Sequence, residues 1–340
     1  MAQYDALLLL SFGGPEGPAD VLPFLENVVR GRGVPRERLL AVVEHYQHFD
    51  GVSPINAQNR ALLAALRAEL DIGVYWGNRN WYPYVEDAVR EMAAAGVTRA
   101  LAFATSGYSS YSGCRQYWED LDRARAAAGP TAPTIDKLRH FYNHPGFIEP
   151  NADAVRAALA ELPAPLRAEA RLVFTAHSIP VAMNDAAGPE RNGWYAVQVA
   201  EAARLVTELV RPGGAFDVVW QSRSGPPRVP WLGPDINDHL TELAGQGAPA
   251  VVVSPVGFVS DHVEVAWDLD HEARETAAGL GLAYARAATV GVHPRFVRMI
   301  VELVAERQSG APRLAFGRYG PSHDVCPAGC CPAPARRPSL

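Results

Sequence analysis

At 340 residues the chain is longer than one hydrophobic core usually supports, so two domains are expected. Apolar residues make up 48% and charged residues 20%, with glycine and proline scattered along the chain, which excludes a disordered or collagen-like protein. The formal net charge of -6, with 31 Lys and Arg in no long cluster, excludes the basic stripe of a nucleic-acid-binding surface.

Met1 to Leu10 carries one acidic and no basic residue before a short apolar run, so it reads as a first strand and not as a signal peptide. No run approaches the ~18 apolar residues needed to cross a bilayer, and no lipidation motif is present, so no transmembrane segment and a cytoplasmic location are expected. Strand-length apolar runs follow in order at Asp5–Ser11, Ile72–Gly77, Ala100–Thr105, Arg171–Ala176, Phe216–Gln221, Ala250–Pro255 and Leu282–Ala287. Between them, helical periodicity covers Ala19–Arg30, Arg36–His48, Ala57–Leu70, Val85–Ala95 and Arg115–Ala127. It returns at Asn151–Glu161, Gly193–Val210, Asp235–Ala244, Glu264–Ala278 and Pro294–Arg307. This alternation predicts an α/β protein of two doubly wound, Rossmann-like domains whose parallel sheets face a central cleft. His, Asn, Pro and Gly cluster at Phe141–Pro150, which places an N-terminal domain at 1–145 and a C-terminal domain at 146–310. Residues 311–340 form a tail that carries a cysteine cluster; it becomes Pro/Ala/Arg-rich after Cys331, where disorder is expected.

Ligands of open α/β sheets bind beyond the carboxyl ends of the strands, so residues just after strands are the candidates. His177 follows Arg171–Ala176 directly, where an imidazole can bind a metal, accept a proton, or simply cap the strand. After the strand that ends at Pro255 come Asp261 and His262, then Glu264, Asp268 and Glu272 at helical spacing i, i+4, i+8. On one helix face such like charges repel unless something positive compensates them. They form either a solvated acidic face or a path for a hydrated divalent cation, and an imidazole with a carboxylate suits ferrous iron.

Further candidates are the basic turn Arg30-Gly31-Arg32-Gly33, which also reads as a helix C-cap, and the loop Phe49 to Pro54, where Ser53 precedes a proline. Aromatic residues gather at Tyr75, Trp76, Trp81, Tyr82, Tyr84, Tyr108, Tyr111 and Tyr117, as core or as the wall of a planar ligand. Cys326, Cys330 and Cys331 crowd together near the C-terminus, and Cys114 is the remaining cysteine. Four thiolates in a reducing compartment suit a [2Fe–2S] cluster or zinc, or stay as unlinked thiols; a cluster would tie the tail to the first domain.

Six segments taken together resemble the ferrochelatases, closest to the bacterial coproporphyrin III enzymes. They are Leu10-Ser11-Phe12-Gly13-Gly14-Pro15-Glu16, Gly51-Val52-Ser53-Pro54-Ile55, Ala176-His177-Ser178-Ile179-Pro180, Trp220-Gln221-Ser222, Trp231-Leu232-Gly233-Pro234-Asp235, and Pro255 through Glu264. The resemblance implies a class II chelatase-like fold and insertion of Fe(2+) into coproporphyrin III to give Fe-coproporphyrin III (coproheme) in haem b biosynthesis. Alternatives are a protoporphyrin IX ferrochelatase, a cobalt or nickel chelatase, and a non-catalytic haem or porphyrin carrier with an iron–sulfur sensor. It further implies that His177 and Glu264 flank the macrocycle as metal and proton handlers, and that Asp268 and Glu272 form the outer metal path. Ser53 and Tyr117 would contact the porphyrin, while Cys114, Cys326, Cys330 and Cys331 would ligate a [2Fe–2S] cluster. Arg30, Arg32, Tyr46, Arg115 and Tyr117 are candidate donors to propionates, and product handover to a downstream haem-pathway enzyme is expected. Two positions depart from relatives: Phe12 replaces a tyrosine able to ligate product iron, and His45 replaces an arginine near the outer metal site.

Overall fold

The computed structural model describes residues 3–31, 33–225 and 228–334. Arg32, Pro226, Pro227 and the end of the Pro/Ala/Arg-rich tail lie outside the described residues. The first sheet comprises β1 (Ala6–Ser11), β2 (Gly73–Asn78), β3 (Arg99–Ala104) and β4 (Thr134–Lys137), all parallel, in the order β2-β1-β3-β4. Around it stand α1 (Pro18–Val28), α2 (Arg36–Gln47), α3 (Ile55–Glu69), α4 (Val85–Ala94) and α5 (Gln116–Ala128). The second sheet comprises β5 (Arg171–His177), β6 (Phe216–Gln221), β7 (Ala250–Ser254) and β8 (Ala283–Arg286), again parallel, in the order β6-β5-β7-β8. Its helices are α6 (Pro145–Glu161), α7 (Val181–Asp185), α8 (Trp194–Val210), α9 (Ile236–Gly245), α10 (Val263–Val265), α11 (Ala273–Gly279) and α12 (Pro294–Ser309).

The central strands are apolar because helices cover both sheet faces. In β1 the side chains alternate, Leu7 and Leu9 entering one core and Ala6, Leu8 and Leu10 another. The first of these cores runs on through Phe103, Phe147 and Phe296 to Phe174 and Val252 of the second sheet, so the two α/β units share buried contacts. The last helix strengthens that link. α12 packs on α6 and on α3 of the first unit, Gln308 exchanges hydrogen bonds of 3.0 and 2.8 Å with the Tyr4 backbone, and Arg139 holds Glu306 through two buried bonds of 2.7 and 2.8 Å. Among the described residues no helix is long and apolar enough to cross a membrane.

Four local expectations are corrected. β4 is an unexpected strand: Thr-Ile-Asp-Lys is short and half polar, and it pairs with β3 at a sheet edge. α6 starts at Pro145 rather than Asn151, because His144 caps it through Nδ1, which accepts from the Gly146 amide, and Pro145 suits the first turn. The helix expected from Glu264 is a short α10, a wide π-helical turn over Ala266–Glu272, and then α11. The helix expected from Arg115 is preceded by a second π-turn, Tyr111–Arg115.

Each strand order reverses once, between β1 and β3 and between β5 and β7. Both units therefore open a crevice at their strand carboxyl ends.

Candidate active site

His177 is the last residue of β5 and lies at the second crevice. The chain leaving β7 crosses directly over it: the Gly257 amide donates to Thr175 O at 2.9 Å, and a Cβ on Gly257 would lie 2.4 Å from that of Ala176, so only glycine fits there. That close crossing carries the chain to His262 and α10, bringing Glu264 to His177. Tyr195 Oη donates to His177 O at 2.8 Å, and Ser178 Oγ donates to Leu232 O at 2.8 Å, which holds the strand end in place. His177 Nδ1 donates to Ser178 O at 2.5 Å, an assignment that leaves the Nε2 lone pair free. Nε2 lies 3.8 Å from Glu264 Oε2, with both side chains partly open to solvent. Burial holds the neighbouring His262 imidazole below its ordinary range, so a second proton acceptor stays neutral beside them.

Asp268 lies one turn further along. Gln221 Nε2 donates to its Oδ2 at 3.1 Å, Gln221 Oε1 accepts from Thr175 Oγ1 at 2.7 Å, and Ser222 Oγ also donates to Asp268 Oδ2. Ser222 has φ +59°, a left-handed conformation unusual outside glycine, asparagine and aspartate, and it accompanies this contact. Burial pushes the Asp268 carboxyl up to about 7. The charges of Glu264 and Glu272 push the same way, while the Ser222 and Gln221 donors oppose them. Glu272 is exposed at the outer end of the π-turn. The positive group sought for the acidic run is Arg286 on β8, but it pairs with Asp261 at 3.0 Å and Asp270 at 2.7 Å. His177 apart, Glu264, Asp268 and Glu272 are left as the row without a lysine or arginine ion pair among the described residues.

The α1–α2 pair packs over α10, with Phe24, Leu25, Leu39 and Tyr46 against Val263. Tyr46, a candidate propionate donor, is buried there, and its phenol is raised by burial and then by the charge of Glu264. His45 stacks flat on Trp267 with ring centres 4.0 Å apart, and Phe12 lies edge-on to Phe24 at 6.3 Å and is 39% exposed. Ser53 is buried against Gly14, where a Cβ would lie 2.7 Å from that of Ser53. Tyr117 is also buried, under the Arg79 guanidinium at 3.8 Å, and Arg79 in turn pairs with Asp120 at 2.5 Å. Sequence reasoning missed Arg79, although it follows β2 as His177 follows a strand and was open to the same rule. Arg30 is exposed, and Arg115 donates to Cys330 O at 3.2 and 3.0 Å.

The cysteines, all free, meet at a separate place. Cys114, in the Tyr111–Arg115 turn, has its Sγ 3.9 Å from Cys326 Sγ, and Cys330 Sγ lies 3.7 Å from Cys331 Sγ. His323 joins Cys326 and Cys330 with ligand atoms all within 4.8 Å. Donation from the Cys326 and Cys331 thiols, then the charges of Lys137 and His140, favours thiolate at Cys114, and Cys326 is pushed up to about 11.

The sequence matches the ferrochelatase family over residues 4–308. The chain belongs to the ferrochelatase family. As a ferrochelatase it is a metal chelatase of the lyase class, acting on a porphyrin and iron. It is 61% identical over 348 residues to the coproporphyrin III ferrochelatase of Nocardia farcinica, covering 98% of each chain. It is 54% identical over 359 residues to that of Streptomyces griseus, covering 99% of this chain and 96% of the other. In fold this ferrochelatase is similar to SirB from Bacillus subtilis, with a TM-score of 0.55 over 91% of this chain and 97% of SirB. At 12% identity that likeness speaks for the two-unit α/β architecture alone.

Proposed function

We propose that this ferrochelatase inserts Fe(2+) into coproporphyrin III, giving Fe-coproporphyrin III (coproheme) for haem b synthesis. The observation that carries the reading is the His177–Glu264 pair, 3.8 Å apart at the second crevice, with Asp268 and Glu272 leading outward from it. The near full-length relatives named coproporphyrin III ferrochelatase support the choice of substrate.

Insertion adds one ferrous ion and releases two pyrrole protons. His177 Nε2, whose partner Nδ1 is committed to Ser178 O, takes the two pyrrole protons in turn and passes each to the solvent it is open to, and Glu264 stabilises the imidazolium formed each time. Glu264 with Asp268 and Glu272 conducts the hydrated cation inward, since oxygen ligands hold a partly hydrated ion without trapping it. Asp268 becomes a ligand only when ionised, so the path strengthens as pH rises through about 7. A pocket that fits a bent macrocycle better than a flat one lowers the barrier, because only interactions stronger in the transition state accelerate the step. Ser53 and Tyr117 act from the first unit as porphyrin contacts, and the product passes to a downstream haem-pathway enzyme.

The cysteine site fits a [2Fe–2S] cluster. The sulfur separations of 3.9 and 3.7 Å match pairs of thiolates on one metal ion with bonds of about 2.3 Å, as on each iron of a two-iron cluster or around zinc. Buried Lys137 is directed at the group, and the buried Nε2 of His140 has no hydrogen-bond partner among the described residues. Cys114, Cys326, Cys330 and Cys331 would hold the cluster, which supplies one-electron redox chemistry and a cross-link of the tail to the first unit.

The test is anaerobic ferrous-iron insertion followed by absorbance, with coproporphyrin III and protoporphyrin IX supplied separately to wild type and to Glu264→Gln. Turnover of coproporphyrin III that is lost in the variant supports both function and site. A preference for protoporphyrin IX overturns the substrate, and tight porphyrin binding without insertion turns the reading to a carrier.

A further inference from the structure

Lys137 is the last residue of β4, and its side chain is 5% exposed. Strand alternation sends Ile135 and Lys137 to one face and Asp136 to the other, where Asp136 meets Tyr4, Arg99 and Arg307. On its own face the Lys137 ammonium donates to Cys114 Sγ at 3.1 Å, and no carboxylate among the described residues lies within ion-pair distance of it. A buried ammonium without a counter-charge costs several kcal/mol, more than a bond to a neutral thiol returns. A metal-bound thiolate at Cys114 is the counter-charge within reach of it.

The same sulfur site joins three parts of the chain. Cys114 and Lys137 come from the first unit and Cys326, Cys330 and Cys331 from the tail, while the Gly188 amide of the second unit donates to Cys331 Sγ at 3.3 Å. Both the Lys137 and the Gly188 donor are neighbours of sulfur, and hydrogen bonds to sulfur together with net charge set the potential of an iron–sulfur cluster. Reduction adds a negative charge to the group, and a fixed cation in contact with one ligand sulfur favours the more negative state.

We propose that Lys137 is the resident counter-cation of the cysteine site and raises the reduction potential of the [2Fe–2S] cluster held there. The proposal rests on the cluster reading above. It makes Lys137 a positioning and tuning residue, remote from porphyrin and iron insertion.

The experiment compares full-length wild type with Lys137→Met and Lys137→Arg, each reconstituted anaerobically with ferric iron and sulfide. The variants are titrated with a one-electron reductant against redox dyes and followed by visible absorbance. The expected result is a lower potential in Lys137→Met, with Lys137→Arg returning most of the shift; loss of the cluster from Lys137→Met alone, while porphyrin is still bound, also supports the role. Lys137→Gln, which keeps a donor without the charge, replaces Lys137→Met where that variant does not fold and is read in the same way. A fully loaded neutral variant with the wild-type potential overturns the role of Lys137 and leaves the cluster reading in place. Loss of the cluster from the Arg variant as well shows that charge is not what Lys137 supplies. Wild type that takes up zinc, or nothing, overturns the cluster reading itself.

Discussion

The two crevices have the same strand order and differ in which groups they leave unpaired. At the first, several strand-end groups close on one another: Asn59 Nδ2 donates to Ser11 Oγ at 3.0 Å, Thr105 Oγ1 donates to Ser11 Oγ at 3.1 Å, and Arg79 is clamped on Asp120 with both side chains buried, while Arg79 Nη2 and Asn80 Nδ2 are left without a hydrogen-bond partner among the described residues. At the second, the equivalent strand end carries His177, whose Nε2 faces a carboxylate at 3.8 Å and solvent, and Asp268 stands where burial and like charge resist its ionisation. Topology makes the crevice twice. The choice of side chains leaves the second with unspent proton and metal affinity, while the polar groups of the first are largely engaged with one another.

The largest expected effect separates the two. His177→Ala should lower iron insertion by about 10²–10⁴-fold, the range for loss of a positioned base, while fluorescence quenching shows porphyrin still bound; wild-type turnover would remove His177 from the chemistry. Arg79→Met in the first crevice should act on stability instead. Breaking a buried pair costs about 3–5 kcal/mol, at the low end here because Arg123 also reaches Asp120 at 2.8 Å. Urea unfolding measures it, and an unchanged midpoint would contradict that role in stability. Ser11→Ala strands the Asn59 donor and should cost about 1–3 kcal/mol in the same unfolding experiment, with insertion by the folded protein unchanged.

The remaining effect is a pH dependence, read as a change of slope and not as a fixed loss. A carboxyl raised in the folded protein lets the native state hold its proton while the unfolded chain has lost it, so stability falls as pH rises from the ordinary carboxylate range to about 7. Asn can accept from Ser222 and Gln221 through Oδ1, because both donate to the same Asp268 oxygen. The thermal midpoint of Asp268→Asn should therefore gain on wild type between about pH 4 and 7 and then run parallel to it. A constant gap across that range would show that Asp268 titrates normally.

Much of the fold was legible where burial is two-sided. Ala-Leu-Leu-Leu-Leu-Ser reads as a central parallel strand because both its faces are covered, and β5 and β7 carry the same signal. β4 was illegible because half of it is polar, and its polar side chains find partners only at distant places, Asp136 at Tyr4 and Lys137 at Cys114. The π-turn over Ala266–Glu272 was likewise hidden, since Ala-Trp-Asp-Leu-Asp-His-Glu satisfies ordinary helical periodicity. Packing of Trp267 on His45 and the tie from Arg286 to Asp270 accompany the wider turn, and both partners lie outside the segment.

The sequence by itself determined the kinds of group and their place at strand ends, because a strand's pattern of burial and its last residue are local properties. It carried His177, Glu264, Asp268, Glu272 and the four cysteines in that sense. Tertiary structure alone decided which groups meet and in what state of charge. The His177–Glu264 approach depends on a glycine crossing over β5, the raised carboxyl of Asp268 on burial beneath Gln221 and Ser222, and the setting of Cys114 on a lysine from an edge strand. Distance and desolvation are properties of the assembled fold, and they set the strength of every charge in it.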